Sequence, residues 1–338
     1  MIEIDGSFGE GGGQILRTSL ALSLVAGKPF RIVNIRAARK KPGLMHQHLT
    51  SVKAAARVGQ AQVEGDALGS GELSFAPQLV TPGVYHFDVG TAGSCTLVLQ
   101  AILPALLIAD DESEIILEGG THNPFAPPFD FLEKAFLPII NRMGPTVKVK
   151  LDRPGFFPAG GGKIRVFISP TARLSCIDLI ERGQVKRRAA RAIVARLPRT
   201  IAERELQVVK LALGLDKKCL HAEEVTKSRG PGNVLIIEVE SEQLTEVFTG
   251  FGERGKRAEA VAEETVLRAK EYLDASLPVG RRLADQLLIP FALAGGGSYR
   301  TLSPTDHTTT NIEVIKRFLD VDITATQLDE KRWEVRIR

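Results

Sequence analysis

Residues 9–17 read GlyGluGlyGlyGlyGlnIleLeuArg, a glycine-rich turn that opens an apolar helix. A turn of this kind exposes backbone N–H groups at a helix N-terminus and can cradle phosphate, with Arg17 on the same helix to pair with it. It is not a P-loop, because no GlyLysSer or GlyLysThr follows, and its glycine spacing is not the dinucleotide fingerprint. The same residues also fit a plain tight connection between a strand and a helix. Glu10 is the one carboxylate of this neighbourhood. It suits a Mg2+ or Mn2+ ligand shared with phosphate oxygens, or a charge that complements the helix dipole.

The next acid after Glu10 is Glu64, so residues 11–63 carry no carboxylate, while Arg17, Lys28, Arg31, Arg36, Arg39, Lys40, Lys41, Lys53 and Arg57 all fall there. Such a field draws a polyanion, and Arg forks pair bidentately with phosphate oxygens. ArgAlaAlaArgLysLysProGlyLeu at 36–44, with Gln47 just beyond, concentrates it in one loop whose Pro42 and Gly43 set the turn. The six histidines form no HxxxH pair and none sits with a cysteine, so a histidine metal site is not indicated. His307 lies in ProThrAspHisThrThrThrAsnIleGlu, which reads as a presented polar loop ahead of a helix whose Thr310 and Glu313 have capping-box spacing.

A repeated α/β pattern has to position these residues. Three times the chain runs a glycine-bearing loop, an apolar helix, a strand, a second helix and a closing strand. The first copy has helices over 14–25 and near 47–58, the second over 95–108 and 129–143, the third over 283–292 and 311–318. The predicted fold is therefore α/β, with a large domain of three repeated units over 1–180 and 278–338. A smaller inserted α/β domain is expected over 181–277, with its own strands near 185–194 and 234–240 and helices over 201–213 and 258–275. The basic strand residues Lys186, Arg187, Arg188 and Arg191 of the insert fit either a nucleic-acid track or a solvated face.

Composition narrows the class. At 338 residues, 43% hydrophobic and 25% charged, with a net charge of +4, neither a disordered chain nor a membrane protein fits. Met1 leads into IleGluIle without a basic n-region or cleavage site, so a cytoplasmic location is expected. Cys95, Cys176 and Cys219 have no CxxC spacing, which excludes a zinc knuckle and a disulfide framework.

Seven ordered motifs go further. The turn at 9–17, ArgLysLysProGlyLeu with Gln47, AlaGlySerCysThrLeuValLeuGln at 92–100, AsnProPheAlaProPro at 123–128, PhePheProAlaGlyGlyGly at 156–162, LeuAlaAspGlnLeu at 283–287 and HisThrThrThrAsnIle at 307–312 together resemble the RNA 3′-terminal phosphate cyclase family. The resemblance implies an enolpyruvyl-transferase-like architecture, in which each repeat packs two helices on a four-stranded sheet. It implies an RNA with a 3′-phosphate end and ATP as partners, and a reaction through enzyme-bound AMP. His307 would be the nucleophile, with Arg17, Arg36 and Arg39 neutralising phosphate charge and Glu10 holding Mg2+ or Mn2+. Gln47 and Gln100 would contact nucleotide or phosphate, and Pro127, Arg282, Leu283, Ala284, Asp285 and Gln286 would line the adenosine pocket. Family members often carry an aromatic residue where this chain has Arg282, which leaves base selectivity open because a guanidinium also stacks. No LysXaaAspGly motif is present for a lysine-AMP alternative. Two other readings share parts of the pattern: a non-catalytic cyclase-like protein, whose kind lacks the histidine, and an enolpyruvyl transferase. Oligomeric state is not written in the sequence.

Overall fold

The computed structural model describes residues Met1–Arg338. The first unit contains β1 (Ile2–Asp5), α1 (Gly13–Ala26), β2 (Phe30–Val33), α2 (His46–Val58), β3 (Gln62–Glu64) and β4 (Leu73–Ala76). In the second come β5 (Val84–Asp88), α3 (Cys95–Leu106) and β6 (Ser113–Gly119), then α4 (Phe129–Phe131) and α5 (Leu137–Arg142) joined by a π turn at Leu132–Phe136, and β7 (Thr146–Arg153) and β8 (Gly162–Ser169). The third unit begins with β9 (Asp178–Leu179). There the chain leaves to build β10 (Val185–Ala195), α6 (Thr200–Leu213), β11 (Leu220–Val225), β12 (Gly232–Ser241), β13 (Thr245–Phe251) and α7 (Ala258–Ala275). It returns as α8 (Arg281–Ala294), β14 (Gly297–Thr301), α9 (Asp306–Phe318), β15 (Ile323–Gln327) and β16 (Trp333–Ile337).

Each unit repeats one topology. The sheets run β1-β2-β4-β3, β5-β6-β8-β7 and β9-β14-β16-β15, so the last strand of every unit lies inside its sheet. In each, the first two strands pair parallel around a helical crossover and the remaining pairs are antiparallel. The sheet β11-β10-β12-β13 stands apart, with α6 and α7 packed on it and a separate apolar core that includes Val194, Leu206, Leu235 and Val266.

The helices are arranged by burial. α3 is apolar nearly all round and packs between α1 and α2, while α9 lies against α1 and α8. Helix α3 starts where Ser94 Oγ accepts from Leu97 N at 3.3 Å, placing Gln100 one and a half turns in. Packing α1 between α3 and α9 brings its N-terminus to where the basic loop of the first unit and the start of α9 meet.

Helix α9 starts earlier than its capping-box spacing predicts. Thr305 is the N-cap and its Oγ1 accepts from Thr308 N at 3.3 Å, so His307 sits in the first helical turn rather than on a preceding loop. Thr310 is buried inside the helix. Strands β4, β5, β9, β11, β13 and β16 are additions to the predicted pattern; they are short or flanked by turns that blur alternation.

Candidate active site

Five helix starts and loops converge on the glycine-rich turn. Gly9 and Gly11 hold φ of +56° and +60°, a left-handed geometry that a side chain resists. A Cβ on Gly12 would collide with the Glu10 carboxylate, and one on Gly13 with the His48 ring and the Arg17 guanidinium. The backbone is thus bare where the charged groups crowd in. Thr310 Oγ1 accepts from Glu10 N at 3.0 Å and ties the turn to α9.

A directed hydrogen-bond chain crosses the centre. Arg17 Nε donates to Gln100 Oε1 at 3.2 Å, and Gln100 Nε2 donates to Gln286 Oε1. Gln286 Nε2 donates to Asp285 Oδ2 at 2.9 Å. On its other oxygen, Asp285 accepts from Gln14 Nε2 at 2.6 Å and from Asn311 Nδ2 at 3.3 Å. Gln14 therefore presents its Oε1 to His307 Nδ1, 2.7 Å away. An amide oxygen only accepts, so in the neutral imidazole His307 carries its proton on Nδ1 and its lone pair on Nε2. Asn311 is fixed in turn by Thr18 Oγ1, which donates to its Oδ1 at 2.7 Å.

Burial sets the charges. It pushes the Asp285 carboxyl above the usual range, while three amide donors and the nearby His307 and Arg17 favour the carboxylate. Burial lowers Arg17 to about 10, with Asp285 opposing, so the guanidinium stays charged at neutral pH. His48 is pushed down to about 3 by burial and by Arg17 and Arg36, so it is neutral there. Its Nδ1 accepts from Met45 N at 3.1 Å, leaving Nε2–H to donate toward the glycine turn.

The basic loop is anchored, not merely exposed. Arg36 NH1 donates to the carbonyls of Lys41 and Gly43 at 2.6 and 2.8 Å, and burial lowers its pKa. Arg39 bonds both the carboxylate and the carbonyl of Glu10. Gln47 Oε1 accepts from Ser94 N at 3.0 Å, so its NH2 is the end left to donate.

Residues 8–325 match the family described as RNA 3′-terminal phosphate cyclase. A protein of that name from Koribacter versatilis is 55% identical over 321 residues, covering 95% of this chain and 90% of its own. Another from Ectopseudomonas mendocina is 48% identical over 337 residues, covering 100% and 98%. This chain belongs to the RNA 3′-terminal phosphate cyclase family, and it is an enzyme of that class. A solved EPSP synthase from Acinetobacter baumannii aligns over 96% of this chain and 61% of its own at 12% identity; its TM-score of 0.29 carries no argument about fold. No helix of the cyclase is long and apolar enough to cross a membrane.

The structure brings together His307, Asp285, Gln286, Gln100, Arg17, Arg39 and Glu10 through the contacts above. Other expected pocket residues sit differently. Leu283 is 0% exposed and Ala284 is buried, both in the apolar core, so neither side chain lines an accessible pocket; Ala284 contributes a carbonyl, which accepts from Tyr299 OH at 2.7 Å. Arg282 NH1 donates to Thr249 Oγ1 of β13 at 3.2 Å. Pro127 offers its carbonyl to Thr96 Oγ1 at 2.7 Å. Arg191 is taken up by Asp130 and Glu223 and is not a free cation on the insert.

Gln14, Asn311 and Thr18 are site residues that the sequence expectation left out, whereas His48 lies in the basic zone already read as a phosphate-binding field. Gln14 had one signal: it lies three residues before Arg17, on the same helix face. No cluster of three or more His, Cys, Asp or Glu is present. A Mg2+ or Mn2+ ion at the glycine turn would find the Glu10 carboxylate but no cluster of protein ligands, so the residues fit an ion completed by substrate phosphates and water, not a protein cage.

Proposed function

We propose that this cyclase converts an RNA 3′-terminal phosphate to a 2′,3′-cyclic phosphodiester with ATP, through a histidine-AMP intermediate. The free lone pair on His307 Nε2, imposed by Gln14 and Asp285, carries the reading. In the first step Nε2 attacks the α-phosphorus of ATP; a P–N bond forms, the bond to the bridging oxygen breaks and pyrophosphate leaves. An oxygen of the RNA 3′-phosphate then attacks the same phosphorus, breaks the P–N bond and gives RNA(3′)pp(5′)A. Finally the 2′-oxygen, losing its proton, attacks the 3′-phosphorus and releases AMP. Activation is required because closure without it would have to expel hydroxide or oxide.

The chain's own residues supply positioning and charge. Arg17 and Arg39 face the glycine turn where the triphosphate would lie, and Arg36 both holds the basic loop and adds to its field. Neutral His48 and the Gln47 NH2 are donors for phosphate oxygens. Asp285, Gln286 and Gln100 form the polar wall for adenosine, with Pro127 and Arg282 at its edge. Glu10 would hold Mg2+ or Mn2+, which would supply charge neutralisation at the phosphates. In this reading catalysis belongs to 1–180 and 278–338, and 181–277 is an accessory unit.

The test is incubation with α-labelled ATP and divalent metal, comparing the unsubstituted chain with His307→Ala. An acid-labile, alkali-stable protein label that is lost in the variant is expected, followed by AMP release and a cyclic end on a 3′-phosphorylated oligonucleotide. Folded protein that takes no label under varied metal would sink the mechanism.

A further inference from the structure

Two phenylalanines on the loops beside the site are exposed without an internal reason. Phe125 is 96% exposed and holds a φ of +66°, a left-handed conformation that strains a bulky residue. Phe157 is 67% exposed on the neighbouring loop. Folding gains nothing from either ring, yet their surroundings are tightly built. Asn123 Nδ2 donates to Ala92 O at 2.6 Å on one side of Phe125, and Thr96 holds the Pro127 carbonyl on the other. His122 and Phe156 bridge the two loops, and their rings stack at 5.4 Å. Gly160 abuts Thr91 and Ala92, two to three residues from the Ser94 N–H that Gln47 holds. The aromatic loops are therefore continuous with the wall of the phosphate site. Arg229, exposed and without an ion pair, lies across Gly161 from the insert side.

We propose that Phe125 and Phe157 form a stacking platform for the unpaired bases next to the RNA 3′ end, with Arg229 facing their backbone phosphate. This rests on the cyclase reading above and extends it to a base-binding subsite. Sequence-tolerant stacking on exposed aromatic rings beside a cation is how single-stranded ends are held, because every base has a π face. Rings rigidly displayed on a braced loop lose little freedom when a base arrives.

The test measures the affinity of a fluorescent 3′-phosphorylated hexaribonucleotide without ATP, and separately the rate of enzyme-AMP formation, in Phe125→Ala, Phe125→Gly, Phe125→Tyr and Phe157→Ala. The two alanine variants and the glycine variant should bind RNA roughly 5- to 30-fold more weakly and form enzyme-AMP at the unsubstituted rate, while Phe125→Tyr stays within about threefold. Phe125→Gly also relieves the left-handed backbone, so its melting temperature should hold or rise as RNA binding falls, which a structural role for the ring would not give. An oligonucleotide with abasic terminal residues should bind weakly and lose nothing further in the variants. Unchanged RNA affinity in the alanine variants, or a raised KM for ATP instead, would overturn the platform while leaving the cyclase reading in place. No affinity of the unsubstituted chain for the 3′-phosphorylated strand would overturn both.

Discussion

Gln14 and His307, 293 residues apart in the chain, meet through a 2.7 Å hydrogen bond whose polarity is set by a third residue, Asp285. Because the carboxylate accepts from the Gln14 amide NH2, the amide cannot flip, and the imidazole is locked with its proton on Nδ1. In the proposed mechanism the attacking nitrogen is thereby chosen two hydrogen bonds away, by Asp285 acting through Gln14.

Asp285→Asn tests that lock. An asparagine keeps the shape but turns one of the two acceptor oxygens into a donor. Where its NH2 replaces Oδ1, Gln14 is driven to present NH2 to His307, so the proton moves to Nε2 and the lone pair there is lost. Enzyme-AMP formation should fall by about two to four orders of magnitude, as when an orienting carboxylate becomes an amide elsewhere. Gln14→Ala, which removes the lock without imposing the wrong tautomer, should cost only about 10- to 100-fold. Single-turnover labelling would separate the two; equal losses would show that orientation alone matters.

Arg36 and Arg39 should fail differently. Arg36 holds two carbonyls of its own loop through one nitrogen, NH1, and a lysine, one bond shorter, does not carry its ammonium as far as that position. Arg36→Lys should lower kcat/KM about 10- to 100-fold and speed amide hydrogen exchange across residues 36–44. Arg39 reaches across to Glu10 instead, so Arg39→Lys should spare the loop's exchange rates and retain more activity. Identical exchange in both variants would contradict the anchoring role of Arg36.

Much of this was legible in the sequence because glycine, proline and charge act locally. The turn at 9–13 and the helix periods each declare themselves within short windows, and the acid-free stretch after Glu10 is visible by counting along the chain. His307 was found but misplaced by one turn, since Thr305 and Thr310 both offer plausible caps and only the contact of Thr310 with Glu10 decides between them. Gln14, Thr18 and Asn311 were missed for a deeper reason. An amide or hydroxyl on an apolar helix face looks like ordinary polar filling until tertiary packing shows what it bonds. Leu283 was misread in the opposite sense: membership of a motif says nothing about which way the side chain points.

Glu10 separates a metal ligand from a helix-terminal charge. Glu10→Gln keeps the oxygen that Arg39 bonds and removes the negative charge. If Glu10 shares an ion with phosphates, the concentration of Mn2+ giving half-maximal enzyme-AMP formation should rise about tenfold and the rate should recover partly at high metal. A purely dipolar role predicts an unchanged metal titration and a small loss of stability, about 0.3–1 kcal/mol.

Stability should carry the mark of Glu246, a buried carboxyl on β13 that accepts from Gly280 N at 3.2 Å, at the start of α8. Burial pushes its pKa from 4.5 up to about 8, with two backbone donors and Arg282 opposing. The folded state thus holds this proton more tightly than the unfolded chain. Its contribution is full below about pH 4.5 and is lost as pH rises toward 8. Glu205, raised to about 7 by burial, slopes the same way, whereas His48, lowered to about 3, loses its contribution as pH falls below 6.5. Glu246→Gln keeps an acceptor for Gly280 and cannot ionise, and the other two groups are common to both proteins, so the difference isolates this one carboxyl. The variant should melt close to the unsubstituted chain at pH 5 and about 2–6 °C higher at pH 8.5. A difference that stays flat across that range would mean that Glu246 is ionised in the fold and held by Arg282, making the carboxylate a partner of α8 rather than a neutral cap on it.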